Sequence, residues 1–369
     1  MAHTRDCGAR PFDHELHVIP RATARLHDHD VPELFKLRFP AHWAATPRKS
    51  RLATAWERDT LQWLRSFGMG ATSKEADRLR KFVCGDYGGC SFPLANYERG
   101  LLVTQYISLW LFWDDLQVES ELAWDVNEFV AALEGRHALA GASRYVLAWA
   151  DLGVRLRRSQ SEEWLAQLCS TMRQWLDNAK HETAIAQAWA RGLAAPSYAE
   201  ALACRNVSIG MYPTFLLDEF AGGFELSAST RAHPSLQALR HTAAGLVGFG
   251  NDLGGIAKDL KSGWLNLVSI LAAEDDERLD DAFARVVAQH NADVLTFDRQ
   301  AAELPSFGEE QDLSLRAWLD AVRHNVFGFT SWESTAQRYQ EHVALVGSIP
   351  LLAPVTLSSE YPSRARSRP

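Results

Sequence analysis

The stretch from Leu101 to Trp113 constrains the fold most, because its residues are apolar around almost the whole circumference of a predicted helix. Such a helix is stable only when other elements surround it, so the stretch predicts the centre of a helical bundle. Two adjacent carboxylates, Asp114 and Asp115, follow directly, and Glu119 lies about one turn further along. Carboxylates at the end of a buried helix repel each other unless cations offset their charge. We therefore predict the metal-binding mouth of a pocket, although an acidic helix end that emerges into water has the same pattern.

The rest of the chain is also predicted to be helical, because apolar residues recur every three to four positions in one segment after another. Breaks are predicted at Gly88-Gly89, Gly192–Pro196 and Ala232–Pro234, where turn-forming residues cluster. No alternating strand pattern or hairpin dipeptide is recognisable, so the predicted fold class is all-α. The predicted helices span Ser50–Phe67, Lys74–Phe82, Ala95–Trp113, Val126–Leu139, Ser143–Leu156, Glu162–Gln187, Tyr198–Phe220, Pro234–Asn251, Asp252–Lys261, Trp264–Ala273, Glu277–Ala302, Asp312–Tyr339 and Gln340–Val346.

Composition and length indicate one folded domain with flexible ends. The chain has 369 residues, is 47% hydrophobic and contains 13 tryptophans, which predicts an aromatic-rich interior. We expect a flexible leader over residues 1–31, a helical domain over 32–346 and a partly disordered tail over 347–369. The net charge of −8 gives no electrostatic reason to expect a nucleic-acid partner. Without a recognisable secretory signal or an apolar run long enough to span a bilayer, we expect a cytoplasmic protein. The sequence leaves open whether it forms a homodimer.

A second oxygen-rich face is predicted on the helix that carries Asn251, Gly255 and Asp259, because residues four apart lie on one side of a helix. Lys258 stands beside Asp259 and adds a cation to the same surface. Oxygen ligands with a neighbouring ammonium suit a Mg²⁺–phosphate assembly, in which the ion takes part of its shell from substrate and water. The alternative is an ordinary polar face of a surface helix.

Two arginines are further candidates for binding an anion. Arg205 lies in a predicted helix that Gly210 and Pro213 interrupt, and Arg338 is followed by the phenol of Tyr339. A guanidinium offers a fork of donors that matches phosphate oxygens. Each arginine alone is also compatible with a surface salt bridge.

In this combination and order, the motifs resemble those of class I terpene synthases of the bacterial, single-domain kind, over roughly residues 32–345. The segment from Asp114 to Glu119 is similar to the family motif DDxxxE, and the segment from Asn251 to Asp259 is similar to NDxx(S/T)xxxE. The second motif departs from the family pattern, since Gly255 replaces a Ser or Thr and Asp259 replaces a Glu. A water molecule in place of the hydroxyl would complete the shell of a Mg²⁺ ion.

The resemblance extends to the cationic residues. Arg205 falls where the family has its diphosphate-sensing arginine, and Arg338-Tyr339 resembles the C-terminal Arg-Tyr pair. Ser208 and the carbonyl of Ile209 occupy positions similar to the linker and effector of the family. The linker is more often Asp.

The resemblance implies a helical bundle around a hydrophobic cavity, with three Mg²⁺ ions at its mouth, that ionises an isoprenyl diphosphate and cyclises the carbocation. The implied substrate is farnesyl diphosphate, a family expectation rather than an inference from these residues. The implied metal-site residues are Asp114, Asp115, Glu119, Asn251, Gly255 and Asp259. The implied diphosphate-binding residues are Arg205, Lys258, Arg338 and Tyr339. Aromatic faces stabilise cations without acting as nucleophiles, and the cavity candidates are Trp110, Phe112, Trp113, Phe215 and Trp332.

Three alternatives remain open from sequence. The enzyme could act on geranyl or geranylgeranyl diphosphate instead of the farnesyl compound. A chain-elongating prenyltransferase shares the helical bundle and the Mg²⁺ chemistry, but it would need a second DDxxD motif. A non-catalytic helical binding protein would be expected if Gly255 and Asp259 had cost the chain its second metal site.

Overall fold

The computed structural model describes residues 14–18, 35–120, 125–136, 140–191, 195–262 and 264–336, and these ranges are almost entirely helical. The prediction of an all-α fold is therefore confirmed. The helices are α1 (Ala53–Ser66), α2 (Ser73–Phe82), α3 (Cys84–Ser91), α4 (Tyr97–Ser120), α5 (Val126–Leu133), α6 (Arg144–Leu156), α7 (Glu162–Ala190), α8 (Tyr198–Ser208), α9 (Met211–Gly222), α10 (Ala228–Ala232), α11 (Pro234–Ser262), α12 (Leu267–Glu274), α13 (Leu279–Ala302) and α14 (Glu309–Glu333).

Helix α4 lies at the centre of the bundle, as its apolar circumference predicted. It packs against α1, α3, α6 and α9, and from Leu102 to Leu109 every residue is buried. The predicted end at Trp113 is wrong, because α4 continues to Ser120. Asp114 and Asp115 therefore lie within the helix, where the backbone fixes their directions.

A short two-stranded sheet precedes the helices and corrects the expectation that the chain has no strands. Strand β1 (His14–Val18) pairs antiparallel with β2 (Phe35–Phe39). Within β2 the residues Phe35, Leu37 and Phe39 are buried, and the ring of Phe35 meets that of Phe283 on α13 at 4.9 Å. The alternation covers only five residues between Pro32 and Pro40, which is too short a run to predict a strand.

Glycines explain one predicted break that is right and one that is wrong. Gly210 separates α8 from α9 with a φ of 76°, a conformation that glycine adopts without steric cost. Pro213 lies in the first turn of α9, where a missing N–H is tolerated. At Gly88-Gly89, by contrast, α3 runs through without a break. A Cβ on Gly88 would lie 2.0 Å from Thr104 Oγ1, so glycine serves the close approach of α3 to α4 there.

Helix α11 is continuous where two helices were predicted, so the segment from Asn251 to Asp259 lies in the second half of one long rod. Helix α14 begins at Glu309, three residues before the predicted start at Asp312. Among the helices that the structure describes, none has both the length and the hydrophobicity needed to cross a bilayer. The predicted helix Gln340–Val346 lies outside the described residues.

Candidate active site

One cavity, with a volume of about 170 Å³, brings the two predicted oxygen-rich faces together. Helix α4 contributes Asp114 and Asp115, and α11 contributes Asn251, Gly255, Lys258 and Asp259. The α4 segment and the α11 segment are more than a hundred residues apart in sequence, so only the packing of the bundle places them around one space. Arg205, Ser208 and Ile209 line the same cavity at the joint between α8 and α9.

On the α4 side, the second carboxylate of the pair already has a cationic neighbour. Nε of Arg78, on α2, lies 3.8 Å from Oδ2 of Asp115, and the Arg78 side chain is only 9% exposed. Sequence reasoning missed Arg78, since it lies in a short, highly charged helix with no distinguishing motif. The side chain of Glu119 lies outside the described residues.

Arg205 is the electrostatic centre of the cavity. Its Nε donates to Oδ1 of Asp252 at 2.8 Å, and its Nη2 donates to Oδ1 of Asn251. Its Nη1 lies 3.6 Å from Oε1 of Glu182 on α7. Burial lowers the pKa of Arg205, but the carboxylates of Asp252 and Glu182 outweigh it and raise the pKa above its ordinary value. The guanidinium is therefore a fixed positive charge.

Glu182 is the most unusual acid in this group. Burial raises its pKa to about 7, although the Arg205 guanidinium and the Ser208 hydroxyl oppose the shift. Its Oε1 is buried and accepts no hydrogen bond, so the ion-pair contact with Arg205 is what offsets the cost of burying this oxygen. Sequence reasoning missed Glu182, because nothing in the α7 sequence distinguishes it from a solvated acid.

The α11 face is fixed by hydrogen bonds to two other helices. Nδ2 of Asn251 donates to Oε1 of Glu333 at the end of α14. Nδ2 of Asn266, the N-cap residue of α12, donates to Oδ2 of Asp259 at 2.8 Å. Burial raises the pKa of Asp259 to about 6, against the lowering effect of neighbouring Lys258. Glu333 and Asn266 are further residues that the sequence did not indicate.

The donors of the α11 face suit a hard divalent cation. Asn251 and Asp259 provide an amide and a carboxylate oxygen one turn either side of Gly255, which has no side chain to occupy the space between them. A Cβ on Gly255 would lie 3.2 Å from Oδ2 of Asp259, so the gap is close to the carboxylate. Within the described ranges, no three His, Cys, Asp or Glu side chains lie close enough to hold an ion by themselves. An ion here would therefore need oxygens from substrate or water.

The joint between α8 and α9 is held rigidly beside Arg205. Nε1 of Trp175 donates to the carbonyl oxygen of Ser208 at 2.9 Å. Trp110 packs against Gly210 so closely that a Cβ there would lie 2.1 Å from the indole ring. The Ser208 hydroxyl is 3.4 Å from the carbonyl oxygen of Arg205. The position of the helix break is thus set by two tryptophans from α4 and α7.

Of the five predicted cavity aromatics, Trp110 lines this cavity, whereas the other four are not among its described lining residues. Phe112 points towards Arg144, whose guanidinium lies 6.0 Å from its ring centre. Trp113 packs edge-on against Phe129. The reason is that α4 is apolar all round, so its periodicity does not indicate which side faces the cavity.

The remaining two aromatics also serve packing. The carbonyl oxygen of Phe215 accepts from Nε1 of Trp318, and the indole of Trp332 stacks on Tyr87 at 4.4 Å. The apolar wall of the cavity is instead completed by residues that the sequence analysis did not select, namely Tyr87, Leu111, Trp264 and Phe329. Arg338 and Tyr339 lie outside the described residues, so their predicted contacts remain predictions.

Comparison with known proteins gives a consistent family. The family model described as terpene synthase family 2, C-terminal metal binding, matches residues 105–295. A (+)-T-muurolol synthase, (2E,6E)-farnesyl diphosphate cyclizing, from Roseiflexus castenholzii is 27% identical over 82% of this chain and 93% of its own length. A 10-epi-cubebol synthase from Sorangium cellulosum is 25% identical over 80% of this chain and 94% of its own. The crystal structure of germacradien-4-ol synthase from Streptomyces citricolor has the same fold, with a TM-score of 0.68 at 22% identity over 78% of this chain and 95% of that one.

Proposed function

Since the chain belongs to terpene synthase family 2 and has the all-α fold of class I terpene synthases, we propose that it ionises farnesyl diphosphate and cyclises the resulting carbocation. Two relatives, the (+)-T-muurolol synthase and a (-)-beta-caryophyllene synthase, are named as cyclising (2E,6E)-farnesyl diphosphate. Their substrate supports the choice of a farnesyl chain here. The product is a sesquiterpene hydrocarbon or alcohol.

One observation carries the proposal: charged and apolar groups line the same cavity. Asp114, Arg205, Asn251 and Lys258 line it together with aromatic side chains that include Trp110. An isoprenyl diphosphate likewise combines an anionic head and an apolar chain. A site for two polar substrates would not need the aromatic wall.

The head group would be held by this chain's cations. Arg205 is already oriented by Asp252 and Glu182, so its donors need little reorganisation to receive diphosphate oxygens. Lys258 supplies a second positive charge at the cavity. Mg²⁺ ions, held by Asp114 on one side and by Asn251 and Asp259 on the other, would stabilise the charge that develops on the departing diphosphate.

The apolar wall protects the carbocation once the diphosphate has left. Aromatic faces such as that of Trp110 attract a cation through their quadrupole without bonding to it. Water must be kept out, because it would trap the cation before cyclisation. A cavity of about 170 Å³ is close to the size that holds a benzene ring, so the farnesyl chain must displace side chains as it enters.

Product analysis tests the proposal directly. The purified protein is incubated with Mg²⁺ and, separately, with geranyl, farnesyl and geranylgeranyl diphosphate, and the extracts are analysed by gas chromatography and mass spectrometry. We expect a cyclic sesquiterpene from the farnesyl substrate. Longer diphosphates would indicate a prenyltransferase, and the absence of product from all three, with a folded protein, would indicate a binding protein.

A matched pair of variants then locates the chemistry. Asp114→Asn keeps the shape of the side chain but removes a charge from the cavity, and we expect turnover to fall at least about a hundredfold. Asp281→Asn makes the same change on an exposed turn of α13 and should leave turnover unchanged. Equal rates for the two variants would show that the ionising site is elsewhere.

A further inference from the structure

Three consecutive backbone carbonyl groups, those of Ser208, Ile209 and Gly210, lie at the joint between α8 and α9. The last carbonyls of a helix have no partner within it, so acceptors at such a joint must be satisfied by other groups. Arg205, Ser208 and Ile209 all line the active-site cavity, so the C-terminal end of α8 faces this space. The carbonyl that stays open at the joint therefore affects what the cavity offers to a substrate.

The carbonyl before Ile209 is occupied by an indole. Nε1 of Trp175 donates to the carbonyl oxygen of Ser208 at 2.9 Å, and Trp175 is only 2% exposed. The Trp175 ring is packed edge-on against the rings of Trp110 and Trp113, at centroid distances of 5.1 and 5.4 Å. Because the ring is fixed on both sides, its N–H has little freedom to turn away from Ser208.

The carbonyl after Ile209 is occupied by a hydroxyl. Oγ1 of Thr214, which is fully buried, donates to the carbonyl oxygen of Gly210 at 2.9 Å. Gly210 has a φ of 76°, and a Cβ there would lie 2.1 Å from the Trp110 ring. Glycine is the residue that fits this backbone conformation and this close approach, and it keeps the carbonyl within reach of Thr214.

The carbonyl of Ile209, between these two, differs from both. Among the residues that the structure describes, none donates a hydrogen bond to its oxygen. Residue 213, four positions further along, is a proline and has no N–H to offer. The negative end of the α8 dipole adds to the partial negative charge of this oxygen. The Ile209 carbonyl is therefore an acceptor with the charge that attracts a cation.

We propose that Trp175 and Thr214 are positioning residues, which hold the carbonyl groups on either side so that the Ile209 oxygen is the one presented to the carbocation. This role rests on the function proposed above, because it needs a cation in the cavity. The family resemblance assigns an effector to the Ile209 carbonyl but no residue that fixes its direction. Without the indole N–H, the buried carbonyl of Ser208 has to find another donor, and the peptide groups of the joint turn to reach it. A displacement of about 1 Å at a reacting centre can lower turnover about a hundredfold.

Two substitutions that each remove one donor test this role. Trp175→Phe removes the indole N–H, and Thr214→Val removes a hydroxyl while it keeps the shape of the side chain. We expect each to lower kcat with farnesyl diphosphate at least about tenfold and to leave KM within about twofold, because the groups that bind the diphosphate are unchanged. The acyclic share of the products should at least about double, since a poorly held cation is trapped or deprotonated before it cyclises.

Matched controls remove the same kinds of hydrogen bond elsewhere. Nε1 of Trp56 donates to the carbonyl of Tyr97 at 3.0 Å, and Oγ1 of Thr104 donates to the carbonyl of Gly100 at 2.7 Å. Neither donor residue is among the described residues that line the active-site cavity. Trp56→Phe and Thr104→Val should be destabilised in urea as much as the two test variants, yet keep kcat and the product pattern. An equal loss of kcat in the controls would overturn the positioning role, because the effect would then follow from stability alone.

A binding measurement gives a result that does not depend on turnover. Benzyltrimethylammonium, a permanent cation, is titrated by calorimetry into the full-length protein in the presence of inorganic diphosphate and Mg²⁺. We expect its affinity to fall at least about threefold in Trp175→Phe and Thr214→Val and to be unchanged in the two controls. The affinity for inorganic diphosphate should be the same in all five proteins. Thr214→Val keeps the comparison decisive where Trp175→Phe folds poorly.

The outcomes separate this role from the function proposed above. Unchanged ammonium affinity in the test variants, or an unchanged kcat and product pattern in both, would overturn the positioning role. If the unmodified protein makes no terpene but the test variants lose ammonium affinity, the cyclisation of farnesyl diphosphate is contradicted and the role of the joint is supported.

Discussion

Gly255 offers the most informative single substitution in the proposed metal site. Gly255→Ser would place a hydroxyl between Asn251 and Asp259, where the resemblance implies that the family has one. If the hydroxyl replaces a water on the ion, the immobilisation cost of that water, up to about 2 kcal/mol, is no longer incurred. Since about 1.4 kcal/mol is a factor of ten in affinity, the upper limit of the gain is roughly thirtyfold.

Crowding reduces this gain. The new Cβ would lie 3.2 Å from Oδ2 of Asp259, and that oxygen is held by Nδ2 of Asn266 at 2.8 Å. The carboxylate must therefore move by a few tenths of an ångström and weaken one hydrogen bond, which costs on the order of 0.5–1 kcal/mol. We expect the Mg²⁺ concentration for half-maximal turnover to fall roughly three- to tenfold.

Gly255→Ala is the matched control, because it introduces the same Cβ without the hydroxyl. It should stabilise the middle of α11 by at most about 1 kcal/mol, less the crowding cost, and leave the Mg²⁺ requirement unchanged or slightly higher. Turnover is measured as a function of Mg²⁺ concentration for the three proteins, with urea unfolding as the check on stability. Identical Mg²⁺ curves for the Ser and Ala variants would refute the reasoning.

Three further outcomes follow from the cavity. Burial raises the pKa of Glu182 from 4.5 to about 7, so between these pH values the folded protein binds more protons than the unfolded chain. The free energy of unfolding should therefore fall as the pH rises through that window, by on the order of 3 kcal/mol from this residue. Glu182→Gln should remove that slope in urea unfolding at pH 5 and pH 8, and an unchanged slope would contradict the assignment. Arg205→Lys replaces a fork of donors with one ammonium and should lower kcat/KM about a hundredfold or more, whereas a fall of less than threefold would exclude a direct role. Gly210→Ala puts a Cβ 2.1 Å from the Trp110 ring at a residue with a positive φ, and should destabilise the protein by roughly 2–4 kcal/mol in the same unfolding assay. An unchanged urea midpoint would contradict this prediction.

The parts of the site that sequence could indicate are those in which spacing along one helix carries the information. Asn251, Gly255 and Asp259 share a helix face wherever the helix lies, and Asp114 follows a stretch that can only be central. Their meeting in one cavity depends on how α4 and α11 pack, which the family resemblance implied and the periodicity alone did not.

Residues that reach the cavity from other helices left no such signal. Glu182 on α7, Glu333 on α14 and Arg78 on α2 look like surface charges in sequence, yet each is buried or nearly so beside the site. Tertiary packing brings each of them to a partner that is far away in sequence. The separations along the chain range from 23 residues for Glu182 and Arg205 to 82 residues for Glu333 and Asn251. Of the five aromatic residues predicted for the wall, Trp110 lines the cavity, and the sequence could not distinguish it from Phe112 or Trp113, since a helix that is apolar all round has no preferred direction.

The hydrogen bond between Arg205 and Asn251 bears on the order of binding. In this structure Asn251 Oδ1, the oxygen proposed as a metal ligand, accepts from a guanidinium. A cation bound to the same oxygen would repel that guanidinium, so Mg²⁺ alone has to work against Arg205. A diphosphate removes the conflict, because its oxygens attract both the ion and the guanidinium. Asp252 would still hold Nε of Arg205 while Nη2 turns from Asn251 to the substrate. The proposed metal site on α11 would therefore be completed by the substrate, so we expect ions and diphosphate to bind together rather than in sequence.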